Sequence, residues 1–462
     1  MEQTKSLKQK AVSTSLWTLL GFGVSQVIRL GGNLILTRLL VPEMFGLMTV
    51  VTAVRVGVYM CSEIGLRVSV IRDKRGEDST FINTAWSIQI IRGFFLWLLI
   101  IIIAGCLFLA ELNGWISNES IYADPLLPTI LIISGITAFI NGFSSTGVWL
   151  AQRNMQLGRV TLLELIAQLL SITVMILGAY WYQNIWPLVI GNIVASLMRT
   201  ILSHALLKSK KHHFHLDKKI TPELLSFGKW MLLSAIFTFT AQHGGKLILA
   251  AYLKPATLGV YVIAAGFASA ITGVILKFNT NLWFPLLSDI NRNQNKRLCK
   301  VYYKIRMRQD ALIYSILGFI FFLSPLIIDI LYDERYKEAG WMLQIILLSI
   351  ISLSYNAIGT SCINIIGKPH LNTLRVAIKA IALCAGSAYI HKQFGSIGLI
   401  WFISLISFID IPILIIIMKK NNIFIWYKEI IFLPLLFVSY WLGTQLLKLL
   451  IVFSPNLTIY QL

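Results

Sequence analysis

The segment that decides the fold is Trp17–Gly46, whose second half reads GGNLILTRLLVPEMFG at positions 31–46. The chain repeats this segment 213 positions later as Trp230–Gly259, where the second half reads GGKLILAAYLKPATLG at positions 244–259. Of the 30 aligned pairs, 11 are identical, and these are Trp, Leu, Ile, Gly and one proline. A duplication inside a hydrophobic chain is typical of transporters that are built from two halves.

The composition indicates an integral membrane protein. Of its 462 residues, 56% are hydrophobic and only 13% are charged, whereas a soluble domain carries roughly a quarter charged residues. A membrane-spanning helix needs about 20 apolar residues. Thirteen stretches satisfy this length, at 12–36, 43–65, 84–109, 126–150, 160–180, 185–206, 229–252, 257–286, 311–331, 340–365, 373–390, 396–418 and 429–453. The sequence therefore predicts an all-α polytopic membrane protein.

The basic residues predict the orientation of these spans. The N-terminus and the connections on the same side hold 28 of the 40 Lys and Arg residues, and the opposite connections hold five. Because basic residues concentrate on cytoplasmic loops, we expect a cytoplasmic N-terminus. The net charge of +20 is then explained by loops that face anionic membrane lipids. Nucleic acid is not expected as a partner, since no soluble surface with interleaved basic and aromatic residues is predicted.

The offset of the repeat predicts the domain organisation. We expect an N-terminal six-helix lobe at 1–210, a cytoplasmic linker at 211–228, a C-terminal six-helix lobe at 229–420 and one additional transmembrane segment at 421–462. Because each half has an even number of spans, both have the same orientation and form a parallel internal repeat. The linker region contains KSKKHHFHLDKK at 208–219, which we interpret as a solvated linker in preference to a metal site.

Four basic residues lie deep within predicted spans: Arg29, Arg55, Lys246 and Lys277. A charged residue at the centre of a membrane helix costs about 2.5–3.5 kcal/mol on insertion scales, so these side chains need water or a partner. Polar residues accompany them at helical spacing, namely Gln26, Asn33, Tyr59, Gln242 and Asn281. The pattern predicts a hydrated, positively charged cavity between the lobes that suits an anionic substrate.

The alternative to a cavity is pairing of these cations with acidic residues inside the protein. Glu63, Glu164, Asp310, Asp329 and Asp410 lie in or near spans and could neutralise them. Asp410, Glu63 and Glu164 are also candidates for ion coupling, although a structural salt bridge is the stronger interpretation for Asp410. Arg92 and Arg199 lie near helix ends, where long side chains can reach the membrane surface.

Several chemistries have no sequence signature in this chain. Gly367-Lys368 is followed by proline and lacks the remainder of a Walker A sequence. The five cysteines form no CxxC pair, and we interpret them as packing residues rather than as disulfides or metal ligands. We therefore expect no cofactor, no metal site, no catalytic residue and no enzymatic activity.

The turn after the first helix carries a family resemblance. It reads RLLVPEMFG from Arg38 to Gly46 and is similar to the recurrent turn of the multidrug/oligosaccharidyl-lipid/polysaccharide flippase superfamily. The chain most resembles the bacterial polysaccharide transporter branch, which includes Wzx-type O-antigen flippases, over about residues 5–420. The additional C-terminal segment departs from a plain twelve-helix pattern.

This resemblance implies a function. The substrate would be an oligosaccharide attached through pyrophosphate to a polyprenyl lipid, moved across the bacterial inner membrane by alternating access. Arg29, Arg55, Lys246 and Lys277 would hold the pyrophosphate or acidic sugars. The resemblance leaves open whether polysaccharide polymerase machinery is a partner. Two alternatives remain: an ion-coupled exporter of drugs or other amphiphiles from the same superfamily, and a membrane-embedded glycosyltransferase or polymerase.

Overall fold

The structure is a computed structural model that describes residues 2–63, 65–207, 212–226, 228–293, 297–421, 423–430 and 433–453. Within these residues the chain is helical and contains no strand. The helices are α1 (Glu2–Leu39), α2 (Pro42–Cys61), α3 (Leu66–Arg72), α4 (Ser79–Leu112), α5 (Leu126–Gly142), α6 (Gly147–Arg153), α7 (Leu157–Tyr182), α8 (Trp186–Leu206), α9 (Ile220–Ser226), α10 (Gly228–Phe239), α11 (Gly245–Tyr252), α12 (Pro255–Phe278), α13 (Phe284–Asn293), α14 (Leu298–Leu331), α15 (Ala339–Ile365), α16 (Pro369–Leu405), α17 (Asp410–Lys420), α18 (Trp426–Ile430) and α19 (Leu433–Phe453).

These helices confirm the prediction of an all-α polytopic membrane protein. Among the described residues, nine helices are long and apolar enough to cross a membrane. A tenth span results if α5 and α6, which meet at an angle of 61°, are counted together. Each of the thirteen predicted stretches overlaps one helix or a run of consecutive helices. Several spans are therefore composite rather than single straight rods.

The chain divides into two compact units, Met1–Gly259 and Val260–Leu462. We call them unit 1 and unit 2. In unit 1, α10 and α11 pack against α2, so this part of the second repeat copy belongs with the first helices. The lobe boundaries predicted from the repeat offset stay a prediction.

The two repeat turns contact each other within unit 1. In each copy one helix ends and the next begins at a proline, Pro42 in α2 and Pro255 in α12. A Cβ atom added to Gly46 would lie 2.6 Å from the carbonyl oxygen of Pro255, and one added to Gly259 would lie 1.8 Å from that of Pro42. The proline and glycine that both copies share are thus the residues this reciprocal close contact requires. Two further bonds hold α11 nearby, from Ser120 Oγ to the Ala250 carbonyl at 3.1 Å and from Tyr122 OH to the Leu247 carbonyl at 2.9 Å.

In unit 2 the additional C-terminal segment packs along α14. A Cβ atom at Gly318 on α14 would lie 2.0 Å from Ser439 Oγ on α19, so the two helices approach closely at this point. Ser439 Oγ also donates to the carbonyl of Tyr314 at 3.2 Å. The last predicted span therefore forms a helix with its own packing partner.

Candidate functional site

One basic pair of unit 1 lies on α1 and α11. Arg29 donates to the side-chain oxygen of Gln26, from Nη2 at 2.6 Å and from Nε at 3.1 Å. Lys246 is partly buried and lies within electrostatic reach of Arg29. Within the described part of the chain, Lys246 has neither a hydrogen-bond partner nor a carboxylate partner. Two like charges are therefore held near each other, an arrangement that an anionic ligand would stabilise.

A second group of polar residues joins α2 to α5. Arg55 Nη1 donates to Thr137 Oγ1 at 3.2 Å, and Tyr59 OH donates to the Thr137 carbonyl at 3.3 Å. The Tyr59 hydroxyl in turn accepts from Asn141 Nδ2 at 3.1 Å. The Thr137 hydroxyl thus orients Arg55, but because it is neutral it does not compensate the positive charge of Arg55.

A cavity of about 270 Å³ continues from this group. Arg92 is fixed at its wall, where Nη2 donates to Ser62 Oγ at 3.0 Å and to the Tyr59 carbonyl at 3.1 Å. Arg92 also forms an ion pair with Glu63 at 3.5 Å. Glu164 and the exposed Arg199 line the same cavity. The structure therefore places Tyr59, Glu63 and Glu164 around one cavity.

The break between α5 and α6 lines this cavity and is closed by side chains. Gln89 Nε2 donates to the carbonyls of Gly142 at 2.8 Å, Ser144 at 3.1 Å and Asn141 at 3.2 Å. Irregular backbone at membrane depth is tolerated only where it is buried in protein or lines a wet cavity. Broken helices of this kind build the binding sites of many transporters.

The linker after α8 forms hydrogen bonds with the backbone at the break between α5 and α6. The backbone N–H of Thr146 donates to Nε2 of His212 at 3.2 Å, so this ring nitrogen acts as an acceptor. Burial lowers the pKa of His212 to about 4, with nearby His204 and His213 adding to the shift. His213, His215 and Asp217 then bond through their backbone N–H groups to α4 side chains. The described part of the linker, 212–219, is therefore held on unit 1 through its backbone, while most of its side chains are exposed.

Two π-helical turns occur at predicted cavity residues. Thr240–Gly244 contains the exposed Gln242 and precedes Lys246 in unit 1. Asn279–Trp283 contains Asn281 and follows Lys277 in unit 2. Single π turns are rare and are frequent at functional sites. Asn281 Nδ2 is buried with no hydrogen-bond partner among the described residues, while Asn33 and Lys277 are partly buried.

Asp410 lies in unit 2 between two cations. Its carboxylate is 3.8 Å from Arg375 Nε and 3.7 Å from Lys379 Nζ. Arg375 also donates to Asn356 Oδ1 at 2.7 Å and to Thr360 Oγ1 at 2.6 Å. Arg375 and Lys379 lie inside α16, where they neutralise Asp410. Its role in ion coupling stays a prediction beside this salt bridge.

Sequence reasoning missed several residues that the structure brings to these sites. Arg92 and Arg199 were assigned to the membrane surface, yet both line the cavity in unit 1. Arg306 was counted among the cytoplasmic loop residues, yet it is 1% exposed in α14. The signal for Arg92 was available, because it follows Ser87 and Gln89 on one polar stretch of α4.

The fold defines the chain as a multi-pass membrane protein. A family model described as polysaccharide biosynthesis protein matches residues 35–340. Because this match covers most of the chain, the protein belongs to that family. The resemblance inferred from the RLLVPEMFG turn is thereby confirmed.

Two relatives agree with this assignment. The lipopolysaccharide biosynthesis protein WzxC of Escherichia coli K12 is 21% identical over 346 residues, which are 74% of this chain and 67% of the relative. A candidate O-antigen transporter of Shigella flexneri is 24% identical over 415 residues, which are 84% of this chain and 92% of the relative.

A solved structure shares the fold. The inward-closed conformation of the lipid II flippase MurJ superposes with a TM-score of 0.69 at 14% identity, covering 95% of this chain and 92% of that structure. The Shigella flexneri relative carries the name of a transporter, in agreement with the prediction that the chain is not an enzyme.

Proposed function

We propose that this protein is a flippase that moves an oligosaccharide linked through pyrophosphate to a polyprenyl lipid from the cytoplasmic to the outer leaflet. The family, its O-antigen relatives and the lipid II flippase fold support this class of substrate. The substrate-binding site, the coupling of transport to an ion and the membrane in which the protein resides are parts of this proposal. We place the protein in the bacterial inner membrane with a cytoplasmic N-terminus, as the basic loops favour.

One observation carries the assignment of the site. Within unit 1, Arg55 donates to a neutral hydroxyl, Lys246 has no hydrogen-bond or carboxylate partner among the described residues, and Arg29 and Lys246 repel each other. A pyrophosphate bears charges of the opposite sign and accepts charge-assisted hydrogen bonds from guanidinium groups. We assign Arg29, Arg55 and Lys246 to the pyrophosphate or acidic sugars of the substrate, and the substrate role of Lys277 in unit 2 stays a separate prediction.

The same observation argues against the superfamily alternative. An exporter of cationic drugs would need carboxylates free to face its cargo. In the described part of the chain, Asp310 and Asp410 are each engaged with a cation. Glu63 pairs with Arg92 in the same way, which leaves Glu164 as a single carboxylate beside Arg92 and Arg199 on the wall of the unit 1 cavity.

The proposal is tested by deleting the gene and identifying what accumulates. We expect polyprenyl-pyrophosphate glycans to build up in the deletion strain, detected by mass spectrometry, and surface polysaccharide to be lost. A complementing copy with Arg29→Ala or Arg55→Ala should insert normally but restore less glycan. Comparable glycan display in the double variant would refute the assignment of the site, whereas no accumulated lipid-linked glycan in the deletion strain would refute the flippase itself. Co-purification with a polysaccharide polymerase tests whether the polymerase machinery is a partner of this protein.

A further inference from the structure

Three ionisable side chains meet in the interior of unit 2. Arg306 on α14 is 1% exposed and Asp310, one turn later, is 5% exposed. Arg306 Nε lies 3.2 Å from Asp310 Oδ2. Arg306 Nη1 forms a second ion pair with Glu429 Oε2, which comes from α18 in the C-terminal segment. We call these three residues the Arg306 triad.

The Arg306 triad has more carboxylates than cations. One guanidinium faces two carboxyl groups, and Asp310 and Glu429 are close enough to repel each other. A buried charge without a counter-charge is strongly disfavoured. Two carboxyls that share one site therefore tend to keep a proton between them.

The surrounding groups do not restore the balance. Lys428 lies beside Glu429 in sequence, but its Nζ is 5.4 Å above the ring of Tyr303. In the described residues it forms no ion pair with either carboxyl. The other titratable groups around the triad are uncharged as phenols or a thiol: Tyr302, Tyr303 and Tyr314 on α14, and Tyr355 and Cys362 on α15.

The hydrogen bonds show where a proton can be accommodated. Glu429 Oε1 accepts from Tyr303 OH at 2.5 Å, and Glu429 Oε2 forms the ion pair with Arg306 Nη1. Asp310 Oδ1 instead lies 3.2 Å from Ser354 Oγ, a hydroxyl that can donate or accept. A protonated Asp310 keeps this bond by donating to Ser354. The hydroxyl of Tyr355, a residue 5% exposed, interacts with Glu429, and its ring lies 4.0 Å from the Arg306 guanidinium.

We propose that the Arg306 triad is a proton-binding site that holds one proton on the Asp310–Glu429 pair while α18 is docked on α14. If α18 leaves, Glu429 goes with it, and Arg306 and Asp310 remain as a balanced pair. The carboxylic acid O–H then breaks, the carboxyl keeps the electron pair and the proton passes to water. Docking of the C-terminal segment is thereby linked to protonation. This inference does not depend on the flippase function.

Infrared spectroscopy of the full-length protein in detergent at pH 7 tests the proposal. We expect the C=O stretch of a protonated carboxylic acid, distinct from the carboxylate bands. Asp310→Asn and Glu429→Gln should each abolish it, because either change leaves one carboxylate opposite Arg306. Asp410→Asn is the matched control, since Asp410 already faces two cations, and should retain the band. The exposed Asp333→Asn serves the same purpose if Asp410→Asn does not fold.

Labelling separates the remaining outcomes without any substitution. Protein grown with carbon-13 aspartate or glutamate should shift the band in one of the two preparations, which assigns it even if both triad variants fail to fold. A wild-type spectrum without a protonated carboxyl at pH 7 overturns the proposal. So does a band that persists in both variants, or one that appears only when sodium is removed, because sodium would then be the ligand.

Discussion

Unit 1 and unit 2 both carry basic side chains deep among their helices, but they give these side chains different partners. In unit 1, Arg55 donates to a neutral hydroxyl, and Lys246 has neither a hydrogen-bond partner nor a carboxylate partner among the described residues. In unit 2, Arg306 and Arg375 face carboxylates. A cation that is already neutralised serves the fold, whereas a cation with neutral neighbours remains available to a ligand. The difference separates structural charges from candidate substrate-binding charges, although all of them look alike in the sequence.

The largest expected effect is on a paired cation of unit 2. Arg375→Met removes one of the two partners of Asp410 and two hydrogen bonds to Asn356 and Thr360. Breaking a buried ion pair costs about 3–5 kcal/mol, so we expect little folded protein by fluorescence-detected size-exclusion chromatography. Arg335→Met is the control, because its exposed pair with Asp333 contributes about 0–1 kcal/mol. Equal yields of the two variants would remove the distinction between the units.

The next largest effect is expected at the contact between the two repeat turns, which stabilises unit 1. Gly259→Ala would place a methyl group 1.8 Å from the Pro42 carbonyl, and overpacking typically costs about 1–3 kcal/mol or more. Gly266→Ala in the same helix meets nothing within 4 Å and should be neutral or stabilise by up to ~1 kcal/mol. Thermal unfolding in detergent compares them. A Gly259 variant as stable as the Gly266 variant would contradict the reciprocal turn contact.

A smaller effect on stability is expected for a cation of unit 1. Arg55→Met loses one hydrogen bond to a neutral hydroxyl, which contributes about 1.5–3 kcal/mol because its donor is charged. The melting temperature should therefore fall less than in Arg375→Met, while surface glycan should fall at least as far as in any unit 2 variant that still folds. If Arg55→Met unfolds the protein while glycan display per folded molecule is unchanged, Arg55 is a structural residue.

The smallest effect is a pH dependence at the docked linker. His212 accepts from the Thr146 N–H in its neutral form, and burial lowers its pKa to about 4 from an ordinary value of 6.5. A lowered folded-state pKa means that this stabilisation is complete above about pH 6.5 and is lost as the pH falls towards 4. We expect the melting temperature to decline over that interval, and less so in His212→Ala. Identical pH profiles would exclude this role.

The sequence predicted the fold well because its signals are local. Apolar runs such as 84–109 predict helices directly, and the proline that starts α2 and α12 is visible in the repeat. The partners of the charged residues were harder to predict, because they depend on which helices pack against each other in the folded protein. Arg306 forms an ion pair with Glu429, which is more than a hundred residues away in the sequence. Arg92 was interpreted as a surface residue because its contacts with Ser62 and Tyr59 cannot be predicted from the sequence. The π turns at Gln242 and Asn281 have no sequence signature.

The account is tested most directly by reconstitution into liposomes that carry a polyprenyl-pyrophosphate oligosaccharide. The fraction of glycan accessible to an external sugar-modifying reagent is followed over time, for the wild type, for the Arg29→Ala/Arg55→Ala double variant and for Arg335→Met. We expect flipping by the wild type and Arg335→Met, and at least tenfold slower flipping by the double variant at equal folded protein, a loss equivalent to about 1.4 kcal/mol. Equal rates for all three proteins would contradict the claim that the cations of unit 1 bind the substrate.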